Sequence, residues 1–450
     1  MYDARPARPR IAIVGTGISG LSAAWHLNSH ADITVFEKEG LPGGHSHSVD
    51  IGTEETPLWV DMGFIVFNTP CYPNLTALLD HIGAAHQPSD MSFGVSIDDG
   101  NLEYASVSLS GLLAQWRNVA RPRFLSLLWD LLRFYKHAPL DIAARQDETL
   151  TLGDYLTRER YSRAFIEDHL IPQAAAIWST SAAEVMDYPF RAFMAFFENH
   201  GLLKLKDRIP WRTVTGGSQA YVKKLIAPFR HRIHTHCAIV KAERHADGVT
   251  LTDVHGQTHD FDEVVFATHA HDTLRILSDA TPQEREVLSA FRYTDNQVVL
   301  HLDESLMPRR RHAWASWNYI GREDELTSGR MLCVSYWMNR LQDLPGRDVF
   351  VTLNPVTPVA PNKILKTLTF DHPLFDQAAI AAQGQLGALQ GVNRTWFCGA
   401  YFGAGFHEDG LQSGLAVAEA ISGVERPWAF DWAQSRISWK PAPTVLEAAE

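Results

Sequence analysis

A glycine-rich turn, followed at a fixed distance by an acidic residue, constrains the fold of this chain more than any other feature. The apolar run 11–14 is typical of a buried parallel strand and leads directly into Gly15, Gly17 and Gly20. A second apolar run, 33–36, ends at Glu37, which follows Gly15 by 22 residues. Strand, glycine turn, helix and acid in this order predict a βαβ unit that binds an adenine dinucleotide.

The three glycines have separate predicted roles. Gly15 allows the tight turn, and Gly17 lets the backbone approach a pyrophosphate. Gly20 lets the helix predicted from residue 18 to about residue 28 pack closely on the sheet. The free N–H groups at the start of that helix, with Ile18 and Ser19 as the candidates, are expected to face the phosphates.

The residues after the second strand indicate which dinucleotide binds. Glu37 is placed to accept hydrogen bonds from a ribose 2′-hydroxyl, with Lys38 beside it, and a carboxylate there argues against the 2′-phosphate of NADP. Gly43, Gly44 and His45 follow in a loop. This double glycine resembles the flavin amine oxidase and carotenoid desaturase superfamily, in which the loop runs along the cofactor. The resemblance implies FAD instead of NAD; a plain glycine turn is the alternative.

The same resemblance implies further cofactor contacts. In the superfamily an acidic-x-glycine step, here Asp61 and Gly63, passes near the flavin ring, and a plain turn is the alternative. Ile239 matches the superfamily position whose backbone holds the adenine. The run 263–268 resembles the strand that rejoins the nucleotide-binding sheet and brings Thr268 near the cofactor.

A second motif lies more than 370 residues after the first. A strand predicted at 395–399 ends in Gly399, and Asp409, Gly410 and Leu411 open a helix rich in small residues. In flavoproteins of the superfamily such a helix directs its N-terminus at the flavin, where its partial positive charge stabilises the reduced ring. Gly410 then leaves room for the ring, and the N–H of Leu411 is the expected donor.

Length and patterning predict two domains, because 450 residues are too many for one ordinary core. Residues 110–199 read as helical, whereas alternating segments between 298 and 353 indicate an antiparallel sheet. The expected fold class is α/β, with a discontinuous Rossmann-like FAD-binding domain of the amine oxidase type and a substrate domain of helices plus an antiparallel sheet. The predicted FAD-binding domain comprises 1–100, 213–290 and 391–425, the substrate domain 101–212 and 291–390, and a C-terminal tail 426–450.

Composition argues against several other classes of protein. The net charge of −12 and the lack of a nucleic-acid motif speak against DNA or RNA as a partner. The four cysteines have no metal-ligand spacing, so we expect a reducing compartment and no metal site. The N-terminus has no apolar signal core and no run of 18 apolar residues occurs, so we expect a cytoplasmic protein without a spanning helix.

Segments along nearly the whole chain resemble a bacterial branch of the flavin amine oxidase superfamily, in a group that includes the flavin-dependent fatty-acyl desaturase of bacterial furan fatty acid formation. These segments are 177–179, 199–203, 211–218, 316–319 and 405–411. The resemblance implies desaturation of a methyl-branched unsaturated acyl chain of membrane phospholipid to a conjugated diene, by hydride transfer to flavin N5. A flavin-dependent amine oxidase, a fatty-acid double-bond isomerase, a carotenoid-type desaturase and a flavin-bearing scaffold without turnover are the alternatives.

Such a desaturation removes a proton as well as a hydride. His407, beside the helix expected to face the flavin, is the candidate for proton removal, and a structural hydrogen-bond partner is its alternative role. Tyr401 is expected beside the ring and is the second catalytic candidate. The candidate substrate contacts are Trp178, Phe402 and Trp211.

Residues 112–137 point to a lipid surface independently of the motifs. They contain five basic residues and one acidic residue, interleaved with tryptophan, phenylalanine and leucine. Pro122 and Pro139 bracket a predicted helix of roughly 16 residues, too short to span a bilayer but suited to lie among anionic headgroups on the inner face of the cytoplasmic membrane. The alternative is an ordinary domain helix whose arginines are solvated.

Overall fold

The computed structural model describes residues 8–106, 108–144, 149–178, 182–204, 209–323 and 330–441. Within these ranges the strands are β1 Arg10–Val14, β2 Asp32–Phe36, β3 Ser48–Asp50, β4 Trp59–Asp61, β5 Phe67–Asn68, β6 His86–Ser89, β7 Phe93–Ile97, β8 Leu102–Ala105, β9 Trp211–Val214, β10 Ile233–His234, β11 Ile239–Arg244, β12 Val249–Asp253, β13 Thr258–Phe261, β14 Glu263–Phe266, β15 Arg292–His301, β16 Trp317–Glu323, β17 Arg330–Trp337, β18 Phe350–Leu353, β19 Ile364–Leu374 and β20 Thr395–Phe397. The helices in the same ranges are α1 Ile18–Leu27, α2 Pro73–His81, α3 Leu109–Leu112, α4 Pro122–Ala144, α5 Leu152–Arg158, α6 Arg163–Phe165, α7 Ile171–Trp178, α8 Ala182–Asp187, α9 Phe190–Asn199, α10 Ser218–Ile226, α11 Ala270–Ile276, α12 Pro282–Ser289, α13 Met338–Leu341, α14 Gln377–Gln383 and α15 His407–Ser422.

A five-stranded parallel sheet in the order β10-β2-β1-β14-β20 forms the nucleotide-binding domain. The central strand β1 pairs Ile13 with Val35 of β2 and with Val265 of β14, and all three side chains are fully buried. Helices α1 and α15 lie against each other so closely that a Cβ added at Gly414 would come within 2.1 Å of the carbonyl oxygen of Ser19. The apolar strands predicted from the sequence therefore form the doubly covered sheet that they indicated.

The second domain contains a seven-stranded sheet in the order β19-β15-β18-β17-β16-β7-β8. Its neighbours are antiparallel except β7 and β16, which run parallel, so the predicted antiparallel sheet is in fact mixed. The helices between α4 and α9 pack around a core of buried aromatic side chains: Phe134, Tyr155, Phe165, Phe193 and Phe197. The predicted α/β fold with helices plus a sheet in the substrate domain is confirmed.

The structure departs from the predicted boundaries in three places, one of which is the boundary between 212 and 213, inside β9. The boundary placed at residue 100 falls between β7 and β8, a hairpin that belongs wholly to the seven-stranded sheet. The segment 426–441 is no loose tail, because Arg426 pairs with Glu419 at 2.6 Å and Trp428 stacks on Trp25 at 5.8 Å between ring centroids. Buried contacts of this kind join the segment to the nucleotide-binding domain.

One secondary-structure prediction was wrong. Pro139 does not end its helix: α4 runs for 23 residues, and Ala138 and Ile142 on either side of the proline pack against the same core. Tertiary packing compensates there for the backbone donor that proline lacks.

Among the helices that the structure describes, none combines the length and the apolar character that crossing a bilayer requires.

Candidate active site

The predicted dinucleotide turn lies between β1 and α1. Gly15 has φ +104°, a conformation that favours glycine, and its N–H donates to the carbonyl of Phe36 at 2.8 Å. A Cβ added at Gly20 would lie 2.0 Å from the carbonyl oxygen of Gly15, so the turn and helix meet too closely for a side chain. Gly17 differs, since its φ is an ordinary −61° and an added Cβ would meet no described atom within 4 Å. Open space therefore adjoins the first turn of α1.

The start of α1 is suited to an anion. In the described part of the chain no side chain caps this helix, and its first turn contains no acidic residue. The first N–H groups of any helix lack intrahelical acceptors and form the positive end of the helix dipole. Open space, free donors and positive potential together fit the pyrophosphate of a dinucleotide.

Glu37 lies at the end of β2 and is only 7% exposed. Its Oε2 accepts the N–H of Thr16 at 3.0 Å, and its Oε1 accepts the N–H of Glu39 at 2.8 Å. The backbone carbonyl of Glu37 accepts the N–H of Cys237 at 2.8 Å, which brings the start of β11, with Ile239, close to this end of the sheet. The carboxylate thus stands beside the glycine turn, where a ribose contact was predicted.

The two loops that follow β2 and β4 pack against the first turn of α1. Gly43 and Gly44 have φ +132° and +55°, and a Cβ at Gly44 would lie 3.0 Å from the Cα of Gly17. A Cβ at Gly63 would lie 2.2 Å from the carbonyl oxygen of His45. These close approaches place His45 and Gly63 on the wall of one cavity together with Gly17.

This cavity has a volume of about 630 Å³ and joins the glycine turn to the seven-stranded sheet. Its walls bring together both sequence motifs and the β14–α11 connection. The predicted site residues that line it are Gly17, Ile18, Ser19, His45, Gly63, Trp211, Thr268, Gly399, Tyr401, His407 and Gly410.

The remaining predicted site residues do not line the cavity. They are Gly15, Gly20, Glu37, Lys38, Gly43, Gly44, Asp61, Ile239, Phe402, Asp409 and Leu411. Phe402 is 1% exposed and packs in the core behind the sheet, so its position does not support the predicted substrate contact. The side chain of Trp178 lies outside the described residues.

Asp61 connects the two domains, and its contacts do not support the predicted flavin contact. The carboxylate is fully buried and accepts the Ser48 hydroxyl at 2.5 Å, the Ser218 N–H at 2.8 Å and the Gln342 side-chain amide at 3.0 Å. Burial raises the pKa of Asp61 to about 6, although the hydrogen bonds from Ser48 and Ser218 oppose this shift. Gln342 belongs to the substrate domain, so Asp61 fixes that domain to the loop before α10.

The late helix α15 begins at His407, earlier than the predicted opening at Asp409, Gly410 and Leu411. The N–H of Leu411 therefore lies within the regular helix and donates to the carbonyl four residues earlier, so it is not the free donor that was predicted. The carboxylate of Asp409 also has partners within the protein: it accepts the N–H of Phe406 at 2.8 Å and pairs with Arg436 at 2.8 Å. The correction for Leu411 follows from the earlier helix start, whereas that for Asp409 also depends on Arg436, 27 residues further along the chain.

The part of the cavity beyond the glycine turn is mainly apolar. Aliphatic and aromatic side chains from both domains line it, including Met62, Ile65, Met91, Phe93, Trp211, Val298, Leu353 and Phe370. Two carboxylates also lie on the wall: Asp90 is 3.1 Å from Arg340, and Asp371 is 3.6 Å from the Nδ1 of His269. Burial lowers the pKa of His269 to about 3, so only Asp90 has a cationic neighbour in these two pairs. Such a lining suits a long apolar ligand.

Four histidines of the cavity, His169, His200, His269 and His372, were not among the sequence candidates, and the first two have an unusual feature. The Nδ1 of His200 bonds to the carbonyl of Phe196 at 2.9 Å, so Nδ1 carries the proton and Nε2 is left as an acceptor. Burial lowers the pKa of His200 to about 3 and that of His169 to about 4, which keeps both rings neutral near pH 7. The Nε2 atoms of both are buried without a partner among the described residues. The sequence does not reveal this property, because a single histidine in an apolar segment looks the same whether or not its Nε2 has a partner.

His407 lines the cavity but is firmly held within the protein. Its ring stacks on Phe64 at 3.9 Å between centroids, and its Nε2 lies 2.7 Å from the hydroxyl of Tyr221. Burial lowers the pKa of His407 to about 3, the same value as for His200, so the contacts and not the pKa distinguish the two rings. These contacts favour the structural alternative for His407 over proton removal. Tyr401 also lines the cavity, and its buried hydroxyl has no partner among the described residues.

Comparison with known proteins gives matches to flavoproteins. A family model described as flavin containing amine oxidoreductase matches residues 18–347. A Mycobacterium tuberculosis protein named as a flavin-containing monoamine oxidase is 24% identical over 293 residues, 62% of this chain and 61% of that protein. The mitochondrial protoporphyrinogen oxidase of Nicotiana tabacum is 37% identical over 82 residues, 18% of this chain and 15% of that enzyme. This chain thus spans less than two thirds of these curated relatives.

Two solved structures share the fold over most of their length. The CLA-producing fatty acid isomerase from P. acnes superimposes with a TM-score of 0.63 at 16% identity, covering 90% of this chain and 97% of that one. The cyclohexylamine oxidase from Brevibacterium oxydans IH-35A superimposes with a TM-score of 0.62 at 17% identity, covering 92% and 99%. The fold shared in both superpositions is a parallel Rossmann-like sheet joined to a mixed substrate-domain sheet.

Proposed function

This chain belongs to the flavin containing amine oxidoreductase family and its cofactor is FAD, and from that premise we propose that it oxidises an unsaturated fatty-acyl chain. The proposed reaction desaturates a methyl-branched acyl chain of a membrane phospholipid to a conjugated diene. The observation that carries the proposal is the apolar cavity that begins at the first turn of α1 and extends to the seven-stranded sheet.

The chain has the features needed to hold FAD. Open space at Gly17 and the uncapped start of α1 fit the pyrophosphate, and the buried carboxylate of Glu37 fits a ribose hydroxyl. The small residues Gly63 and Gly410 on the cavity wall leave room for a flat ring. Bound FAD supplies a two-electron acceptor that takes a hydride at N5.

The remainder of the cavity suits an acyl chain better than an amine. Its apolar side chains exclude water and align a chain whose C–H bonds beside a double bond are activated for oxidation. A substrate ammonium group would need a carboxylate without a cationic partner, and Asp90 does not provide one because it pairs with Arg340. Asp371 lies beside His269, whose ring burial keeps neutral near pH 7, so Asp371 is the residue that an amine would use. The fold alone does not discriminate, because a fatty acid isomerase and a cyclohexylamine oxidase share it.

We expect an unsaturated phospholipid to bleach the flavin absorbance of the purified protein under anaerobic conditions. The product, identified by mass spectrometry, should be lighter than its parent by two hydrogens. Bleaching by amines but by no unsaturated lipid would establish amine oxidation instead. A product of unchanged mass with a displaced double bond would indicate isomerisation, and bound FAD that no substrate reduces would indicate a scaffold.

We propose His200 as the group that accepts the proton. Its Nε2 is a bare acceptor, and its ring lies 5.7 Å from the ring of Phe406, the residue before α15. His200→Gln should slow flavin reduction by the acyl substrate about 100-fold, the lower end of the range for general-base removal, without loss of flavin. Stopped-flow absorbance measures the rate.

His169→Gln is the matched control. His169 has the same bare Nε2 but contacts Phe93 and Tyr104, away from α15, so its replacement should slow reduction less than about tenfold. Equal losses in both variants, or a larger loss in His407→Gln at full flavin content, would remove His200 from this role.

A further inference from the structure

One surface of the substrate domain is apolar although it faces solvent. The surface, here called the α4 face, comprises Trp116, Val119, Leu125, Trp129, Leu132 and Leu140. Their exposed fractions range from 49% for Leu125 to 83% for Trp116. Of the 14 large apolar side chains that are exposed in the described part of the chain, these six come from 25 consecutive residues. Such clustering exceeds the scattered single side chains that are normal on protein surfaces.

Helical periodicity puts most of the α4 face on one side of a single helix. Leu125, Trp129, Leu132 and Leu140 recur at intervals of three, four or eight residues along α4. The opposite side of α4 is buried in the core through Phe124, Leu127, Phe134 and Ala138. The exposed side of α4 thus has four large apolar side chains beside its charged ones, more than an ordinary helix with a solvated polar side has.

Basic side chains border the α4 face, and they differ in whether an acidic residue pairs with them. Arg123 pairs with Asp168 at 2.7 Å and Arg133 with Asp130 at 3.0 Å, so these two are neutralised. Arg117, in contrast, donates to the backbone carbonyl of Asn101 at 3.0 Å, and no acidic partner of Arg117 lies among the described residues.

Two more basic side chains, Arg121 and Lys136, lie at the border of the α4 face. Arg121 donates to Asn101 and Asn118, without a carboxylate among its described partners. Lys136 is exposed on α4, between Leu132 and Leu140. Three cations thus border the α4 face on a protein whose overall charge is −12.

We propose that the α4 face docks on the surface of an anionic lipid bilayer. Exposed tryptophans favour the boundary between headgroups and acyl chains, the leucines enter the acyl layer, and the bordering cations contact anionic headgroups. The acidic remainder of the molecule then turns away from the membrane, which fixes the orientation. A peripheral helix of this kind lies in the plane of the membrane and does not cross it.

The same helix reaches the cavity. Tyr135 of α4 contributes to the cavity wall, so the lipid surface and the cavity lie on different sides of one helix, about 10 Å across. When the α4 face is docked, the acyl chains of the adjacent leaflet lie about one helix width from the cavity wall. This link to the cavity rests on the proposed function, whereas the docking itself does not depend on the chemistry.

Vesicle sedimentation tests the proposal with the flavin-loaded, full-length protein. The wild type should sediment with phosphatidylcholine vesicles that contain phosphatidylglycerol, and much less with phosphatidylcholine alone. Trp116→Ser/Trp129→Ser should weaken binding to the anionic vesicles at least about tenfold, because both indoles leave the interface. Arg117→Gln/Arg121→Gln should weaken it at low salt and change it little at high salt.

Val240→Ser/Val254→Ser is the matched control, since these side chains are 50% and 54% exposed elsewhere on the protein. This variant should bind vesicles like the wild type. Equal sedimentation of the wild type with both vesicle types, or unchanged binding of the tryptophan variant, would overturn the proposal. So would a wild-type dimer that the tryptophan variant dissociates, because a second copy would then cover the face.

The binding assay involves no turnover, so its result is separate from that of the flavin titration. Vesicle binding without flavin bleaching by any lipid would retain the docking face and reject the proposed function. Flavin bleaching by detergent-dispersed lipid, without vesicle binding, would retain the proposed function and reject the docking face.

Discussion

Replacing Gly17 with valine is expected to give a protein that folds normally but is purified without its yellow cofactor. The backbone tolerates the change, because φ at Gly17 is −61° and an added Cβ meets no described atom within 4 Å. The valine side chain instead occupies the space beside the first turn of α1 and excludes the pyrophosphate. Charge-assisted hydrogen bonds contribute about 1.5–3 kcal/mol each, so losing two lowers the affinity for FAD by at least about 100-fold.

Flavin absorbance per protein measures the loss, and far-ultraviolet circular dichroism with the urea midpoint shows whether folding is retained. Gly384→Val serves as the control, because Gly384 also has an ordinary φ of −63° and lies outside the cavity lining. The control should keep its flavin. A Gly17→Val protein with full flavin content would show that the cofactor does not approach this turn.

Arg436→Gln is expected to lower the free energy of unfolding by about 3–5 kcal/mol, the usual cost of leaving a buried charge without its partner. Arg436 lies 2.8 Å from the carboxylate of Asp409, which is fully buried, and donates to the carbonyl of Cys71 at 3.1 Å. Asp409 in turn caps α15 through the N–H of Phe406. The predicted loss therefore affects the helix on the cavity wall.

The loss of unfolding free energy in Arg436→Gln should be larger at high pH than at low pH. Burial raises the pKa of Asp409 while Arg436 opposes that shift, so removing Arg436 raises the pKa further. A folded-state pKa above the unfolded value means that the folded protein binds the proton more tightly and gains stability as the pH falls. The deficit of Arg436→Gln is therefore largest near and above pH 7 and decreases towards about pH 5.

Urea unfolding at both pH values provides the measurement. Asp409→Asn/Arg436→Gln should recover much of the loss, because no unpaired charge remains buried. Arg163→Gln is the surface control: Arg163 is 86% exposed in its pair with Glu167, so it should cost less than about 1 kcal/mol. A pH-independent deficit, or one no larger than that of the control, would assign Arg436 a packing role only.

The dinucleotide unit was predictable because its determinants are local. Short-range sterics require glycine at Gly15, where φ is positive, and the alternation of apolar runs and turns specifies two parallel strands with a helix between them. The spacing from Gly15 to Glu37 equals the length of one strand, turn and helix, so the acid must return to the same end of the sheet. FAD followed from this unit together with the late helix.

Residue roles that depend on packing were not predictable. Asp61 occurs in an acidic-x-glycine step, yet its carboxylate is bonded to Ser218 and Gln342, which lie far along the chain. Leu411 lost its predicted role because α15 begins at His407, earlier than the local sequence indicated. Neither the partner of a buried carboxylate nor the first residue of a helix is determined by neighbouring residues alone.

The sequence by itself determined the α/β class, the glycine turn with its acid, the second glycine motif and the basic, aromatic segment at 112–137. Each of these depends on residue type and spacing within one or two elements. Only the tertiary structure decided that the two motifs share one cavity, that the Nε2 of His200, unlike that of His407, has no partner among the described residues, and that α4 exposes tryptophan and leucine. The physical reason is that burial and hydrogen-bond partners belong to pairs of segments hundreds of residues apart, which acquire these properties only when the chain packs.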